Sequence, residues 1–556
     1  MSGPARQTAS GERTDPIPAG AQRVAGDPAV PVSRDRLVIV LVYTLGWGAL
    51  LLNRGFFWDD WTLVGLSPAE LTRAFSELGL PWIGYVYVAL FATPLPGLLG
   101  HAIIFGAYLL STLVFHAILC RVPGLLRMDA LVAALAFAVM PVNYARVALI
   151  DLTYAVSLLA FLAATWLLLR YVADGGRVRR VGALALYAYS FTTASLLVLY
   201  AVPLLVATAV ARASTGRSLA TIGLRHLDFL ALPVAFWLLR SLFLRPSGVY
   251  EGYNALTLAG LARVPSLMVE IPRQVLLDPL ARAAGAAGVV GLLAGAALAG
   301  WLLWRSRAAE TSGSVETSGS LESGQSVPTL ALALAGVVVL ALGVFAYLTV
   351  GRIPTLYDWS SRHQLLVPIG AGLLAAALAR GVAAAGPVGR AAGIVAVGIV
   401  LGMSGVADAR TLKAYQADWY KQAALIQWAR QLPELKEARH IRVIDDATAF
   451  NTLRRTYRFY EYNALFSEAL GDTRRLASLP DREPTPEELQ DFIARPTYHM
   501  GQYVPSPVDL ELRIEEADGV PDTLDVLRLI VAEATGSPAF DQDVARLIAV
   551  EVTAVP

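Results

Sequence analysis

Long apolar runs dominate this chain. Stretches close to the ~20 residues needed to cross a bilayer occur at 37–53, 98–119, 130–148, 154–170, 181–211, 228–244, 284–304, 329–350, 363–379 and 391–407. The 181–211 run is too long for one crossing and contains Pro203. It reads as a tight hairpin of two short spans, which brings the total to about eleven crossings. Arginine placement fits that count under the positive-inside rule. Arg34 and Arg36 directly precede the first run, so the N-terminus is expected in the cytoplasm. Alternation then gathers Arg121, Arg127, Arg170, Arg177, Arg179, Arg180, Arg212, Arg217, Arg225, Arg305, Arg307, Arg380 and Arg390 in the inner loops. Reading 181–211 as one span would invert every later loop.

The polar segments between the runs have their own signatures. Residues 1–36 are rich in Pro, Gly, Ala and Arg without apolar period and read as a disordered cytoplasmic tail. The membrane domain is expected over 37–407, with a flexible inner linker at 305–328 that carries a near-repeat of Glu-Thr-Ser-Gly-Ser. Ser67-Pro68-Ala69-Glu70 combines an N-cap serine, a proline at the first helical position and a glutamate at the third. Leu71, Ala74, Phe75 and Leu78 follow at helical spacing, predicting a short amphipathic helix on the membrane surface. From about 408 charge density rises, and Glu437–Asp445 reads as a strand after a helix. An odd number of crossings puts 408–556 outside the cytoplasm as an α/β or α-rich domain. Its aromatics Tyr457, Phe459, Tyr460, Tyr462 and Phe466 read as a core or a surface docked on the membrane domain.

Composition agrees. The 556 residues are 56% hydrophobic and 16% charged, against about 25% charged in soluble domains, and the mean hydropathy is +0.54. The formal net charge of +1 argues against a nucleic-acid binder. Cys120 is the only cysteine, which excludes an intrachain disulfide or a thiolate metal cage. His101 and His116 lie on apolar runs and read as packed residues.

Candidate chemistry gathers in the loops expected outside. Phe56-Phe57-Trp58-Asp59-Asp60-Trp61 sets two carboxylates among large aromatics just past the first run. Charge at that depth points to function. The same face is expected to hold Arg146 and Asp151, a long loop with Glu251, Tyr253, Arg263, Glu270, Arg273 and Asp278, and a late loop with Asp358, Arg362 and His363. Mixed, paired charge beside a membrane suits an anionic, oxygen-rich ligand. The plainer readings are solvated loop carboxylates, Trp58 and Trp61 as interface anchors, an Arg146–Asp151 pair and an Arg362–Asp358 salt bridge.

Taken together, these features resemble the GT-C membrane glycosyltransferases, in the protein O-mannosyltransferase and aminoarabinose-transferase branch. The resemblance rests on the acidic pair with its interfacial helix, on Arg146-(four residues)-Asp151 opening the fourth run, and on Arg362-His363 with Pro368 shortly after, where histidine replaces the commoner tyrosine. It covers about residues 37–200 well and the rest through architecture.

The resemblance implies an all-α polytopic enzyme of the plasma membrane that moves a sugar from a polyprenyl-phosphate donor to a glycan, lipid or protein acceptor outside the cytoplasm. Asp59 or Asp60 would be the catalytic base. Asp151, Arg146, Arg362, His363, Trp58 and Trp61 would bind substrate, with Arg362 and His363 on the carrier phosphate. A Mg2+ or Mn2+ ion bridging Asp59, Asp60 and the phosphate is compatible with this chemistry and not required. The rival class is a lipid-linked sugar flippase or transporter, which typically carries charge within its spans and repeated halves. A scaffold that displays the outer domain is a third.

Overall fold

The computed structural model describes residues 32–252, 255–257, 259–282, 285–311 and 326–555. Residues 1–31, most of the expected linker and Tyr253 lie outside the described residues.

The chain is mainly helical. α1 (Val32–Trp47) leads through a 3₁₀ stretch to the turn Trp58–Thr62. α2 (Pro68–Glu77) follows, with Ser67 and Glu70 closing the expected capping box and Leu71 and Phe75 buried. α3 (Pro81–Phe91) packs on it, the rings of Phe75 and Tyr87 stacking at 4.7 Å. α4 (Pro96–Leu119) and α5 (Arg127–Ala138) precede an irregular stretch, and α6 (Leu152–Asp174) continues the bundle. α7 (Arg177–Ser190), α8 (Ala194–Leu199) and α9 (Ala201–Thr215) cover the run expected to be a hairpin. α10 (Leu219–Arg225), α11 (Leu227–Phe243), α12 (Val264–Pro272) and α13 (Asp278–Arg282) come next. α14 (Ala286–Thr311), α15 (Thr329–Leu348), α16 (Val367–Ala383) and α17 (Pro387–Gln431) complete the apolar part.

Among the described residues seven helices are long and apolar enough to cross a membrane, or nine if two sharply bent pairs each count as one span. This is fewer than the eleven expected crossings. α5 has 12 residues and α7 has 14, so the 130–148 and early 181–211 runs do not become full-length helices. The helices of the 181–211 run break at 191–193, and Pro203 sits in the first turn of α9, where proline needs no N–H partner. Leu37, Leu41 and Leu45 are exposed on α1 while Ile39, Tyr43 and Trp47 are buried. An apolar stripe turned outward in this way suits contact with lipid.

The helix ends sort into two sets. At one end buried Asp35 pairs with Arg127 at 2.9 Å and with Arg305, while Arg380 bonds Asp129. Arg180 holds Asp228 at 2.7 Å, and Tyr171, Thr215, Arg217, Arg225 and His226 line one small cavity. Several of the arginines expected in a common set of loops thus pair with carboxylates near helix ends. The opposite end carries the C-terminal domain.

That domain is an α/β unit. β1 (His440–Asp445), β2 (Leu476–Ser478), β3 (Leu510–Glu516) and β4 (Ile548–Ala554) form one sheet in the order β2-β1-β3-β4, with only β3 and β4 antiparallel. α18 (Pro433–Glu437), α19 (Phe459–Leu470), α20 (Pro486–Ala494), α21 (Thr523–Thr535) and α22 (Ala539–Ala545) complete it. The expected boundary at 408 falls inside α17, a continuous helix of 45 residues. At ~1.5 Å per residue that length exceeds twice the hydrocarbon core of a bilayer. From Asp408 onward the helix buries Gln416, Asp418, Lys421 and Gln422, so the compositional change marks where it leaves apolar surroundings for the domain.

Candidate active site at the domain junction

Three turns and the start of one helix meet where the C-terminal domain caps the bundle: residues 58–62, 143–151, 358–364 and the N-terminus of α19. Asp60 joins the first two. Its Oδ2 accepts from the amides of Phe57 (2.9 Å) and Leu149 (2.8 Å), and its Oδ1 accepts from Ile150 (2.8 Å). The side chain is fully buried. Burial pushes its carboxyl up to about 7 against the pull of the three amides. With its oxygens engaged in this way, Asp60 fixes the turn and is not placed to take a proton from a substrate.

Asp59 faces the junction. Its Oδ1 accepts from the Tyr460 hydroxyl at 2.7 Å, and its Oδ2 lies 3.8 Å from Nη1 of Arg362. Its side chain is 34% exposed, so it alone of the acidic pair can meet a solute. Arg362 stacks over Trp359 at 4.1 Å, and its Nε donates toward Nε2 of His363 at 3.4 Å. The residues beside it are anchored: Ser361 Oγ accepts from the amide of Ala145 (2.8 Å), and Gln364 Oε1 accepts from that of Asn143 (3.2 Å). These bonds hold the arginine turn against the 143–151 turn.

Asp151 is buried beside the same charges, with Arg362, Asp60, Asp59 and Arg146 its charged neighbours. Its Oδ1 has no hydrogen-bond partner. A buried carboxylate oxygen left open is costly, and a ligand hydroxyl would satisfy it.

Other expected residues turn out to be scaffold. Arg146 is 3% exposed, stacked between Trp47 (3.7 Å) and Tyr108 (4.3 Å), and donates to the carbonyls of Asn143 and Val142. It pins its own turn and shows no ion pair with Asp151. Trp58 and Trp61 are buried in the protein rather than exposed as interface anchors. Trp58 Nε1 donates to Asp358 (2.9 Å), and Trp61 Nε1 donates to Gln422 (2.7 Å). His363 is 8% exposed, its ring 5.2 Å from that of Tyr347. Asp358 takes Arg458 at 2.7 Å. Arg273 pairs with Glu270 within the long loop.

No family model matches the chain, nor does any curated protein or solved structure.

The C-terminal domain supplies what the sequence pattern left unassigned. Open sheets with parallel strands place functional groups at the carboxyl ends of those strands. Here the carboxyl end of β1 runs into 446–458 and delivers α19. Asp445 itself is held by Lys421 (2.7 Å) and Tyr462 (2.9 Å), which docks the sheet on α17. Buried Arg455 pairs with Asp418 (3.3 Å) and Glu461, and Glu461 Oε2 accepts from the amide of Trp58 at 3.1 Å. Trp58 and Asp358 both hold positive φ (49° and 48°), which is unfavourable for a bulky tryptophan whose amide is held by Glu461. The residues do not suit a divalent ion. Among the described residues no three His, Cys, Asp or Glu side chains gather at ligand distance, and Asp60 is already bonded to amides.

Proposed function

We propose that this chain is a membrane glycosyltransferase of GT-C type that transfers a sugar from a polyprenyl phosphate to an acceptor hydroxyl outside the cytoplasm. The observation that carries the reading is the approach of Asp59 to Arg362, beside the open oxygen of Asp151. A carboxylate reachable by solvent and a guanidinium at the same site are the two groups that this reaction uses, one for the acceptor proton and one for the departing phosphate.

In this reading the acceptor hydroxyl attacks the anomeric carbon while Asp59 takes its proton. The bond from that carbon to the phosphate oxygen breaks, and the electron pair leaves with the polyprenyl phosphate. Arg362 meets the charge that grows on the departing oxygen. Attack opposite the leaving group inverts the anomeric centre. Asp151 accepts a hydroxyl of the donor sugar. Tyr460 holds Asp59 by one oxygen and leaves the other for the acceptor proton. An apolar cleft of about 200 Å³ between α5, α12, α15, α16 and α17, with Met140 and Pro272 in its lining, suits a lipid chain.

The test is release of polyprenyl phosphate from polyprenyl-phosphate sugars by purified protein in lipid. Release that depends on acceptor and disappears in Asp59→Asn supports the reading. Full activity in that variant removes the proposed base.

A further inference from the structure

Beyond Asp59, Tyr460 belongs to a cluster of rings on the C-terminal domain. Its centroid lies 6.2 Å from that of Tyr498 and 5.6 Å from that of Phe459. Phe459 stacks on Phe492 at 4.7 Å, and Tyr498 closes on Phe492 at 4.8 Å. All four side chains are only half-buried. Tyr460 bonds Asp59 at 2.7 Å, so the ring cluster runs up to the carboxylate.

We propose that Tyr460 and Tyr498 form one wall of an acceptor subsite that takes a neutral saccharide, stacking a sugar ring beside Asp59. The inference rests on the glycosyl-transfer reading and adds the acceptor class to it. Three features favour a saccharide. Sugar rings present a C–H face that packs on aromatic rings, while their hydroxyls need polar groups at the rim. The rim supplies them as compensated charge: Arg458 holds Asp358 at 2.7 Å, and Arg495 holds Asp491 at 2.9 Å and lies 3.7 Å from Glu77. Paired charges offer hydrogen bonds without selecting an ion. A peptide adding as a strand would need a free sheet edge here, whereas β2, the strand beside this cluster, is buried along its whole length.

The site also divides by side. Arg362 lies on the bundle side of Asp59, from the turn that leads into α16, and the rings lie on the domain side. Donor phosphate and acceptor sugar would thus approach the carboxylate from different structural units.

The experiment uses full-length protein in nanodiscs. Neutral trisaccharides of glucose, mannose, galactose, rhamnose and arabinose are the probes, and binding is read by saturation-transfer NMR. Ser/Thr-rich peptides serve as competitors. Saturation of ring C–H protons on at least one saccharide is expected, with affinity lower by roughly tenfold in Tyr498→Leu, which stays apolar but has no ring face. Tyr498→Phe should bind nearly as the native protein does. In a transfer assay Tyr498→Leu should raise KM for the saccharide with little change in kcat. Absence of saccharide binding, displacement by a peptide, or native affinity in Tyr498→Leu overturns the subsite. If polyprenyl phosphate is still released while that variant keeps its KM, the subsite fails and the transferase stands. If a saccharide binds through Tyr498 and no polyprenyl-phosphate sugar is consumed, the binding site stands and the transferase fails.

Discussion

Asp59 and Asp60 share a peptide bond but not an environment: the first keeps 34% of its side chain exposed, and the second has none. The pair therefore separates by assay. Asp59→Asn should fold normally and lose transfer by about 10²–10⁴-fold, the usual contribution of a general base. Asp60→Ala leaves the amides of Phe57, Leu149 and Ile150 without their acceptor, at ~1–3 kcal/mol for each buried group. Its thermal midpoint in detergent should drop while that of Asp59→Asn holds. Equal stability in the two variants would contradict the division of roles.

The acid–base coupling of Asp60 gives a second expectation. Burial pushes its folded carboxyl up to about 7, from an ordinary aspartate value of 3.8. Between those values the native state keeps a proton that the unfolded chain releases. Its contribution is complete below about pH 4 and is lost as pH rises through 7, at no more than ~1.4 kcal/mol per pH unit. Unfolding midpoints measured from pH 4 to 9 should show this fall, and Asp60→Asn should flatten it. A native slope unchanged in that variant would assign the titration elsewhere.

Much of this was open to inspection in the chain. The Ser67–Glu70 box, the strand at 440–445 and the shared face of Asp59, Asp151 and Arg362 all follow from local spacing or alternation. What escaped had non-local causes. A hydropathy window sees 130–148 as one run, yet the helix ends at Ala138 because the chain must turn through left-handed Asn143 to set its amides against Gln364 and Ser361. Trp58 and Trp61 look like interface anchors until the C-terminal domain covers them. The Tyr460 bond to Asp59 joins residues 401 positions apart, which no period reveals.

Sidedness rests on alternation and needs its own measurement. In a Cys120→Ser background, Ser67→Cys next to the acidic turn should react with a membrane-impermeant maleimide on intact cells. Ser218→Cys, at the arginine-rich end, should react only after permeabilisation. The reverse pattern would move the junction into the cytoplasm and remove the acceptor proposed there.

Packing of α14 on α17 depends on two glycine pairs. A Cβ on Gly402 would come within 2.3 Å of the Gly291 carbonyl, and one on Gly398 within 2.6 Å of the Gly295 carbonyl. Small residues four apart on both helices let the backbones meet. Gly402→Leu should therefore lower stability by ~1–3 kcal/mol or more, as overpacking does. Gly106, with open space around it, provides a control: Gly106→Ala should leave the midpoint unchanged.

Arg455 links domain docking to the site. It is fully buried between Asp418 of α17 and Glu461 of α19, and Glu461 in turn holds the amide of Trp58. Arg455→Met leaves two carboxylates buried without their cation, a change that costs ~3–5 kcal/mol in comparable cases. Because α19 also carries Tyr460, loosening it should free Asp59 from its donor. Limited proteolysis should then cut the 446–458 segment faster than in the native protein, and transfer should fall without any change to Asp59 itself. A triple variant that also carries Asp418→Asn and Glu461→Gln removes the stranded charges. It should recover protease resistance but not full transfer, since the bond that orders Trp58 is weakened. Recovery of both would make Arg455 a purely structural ion.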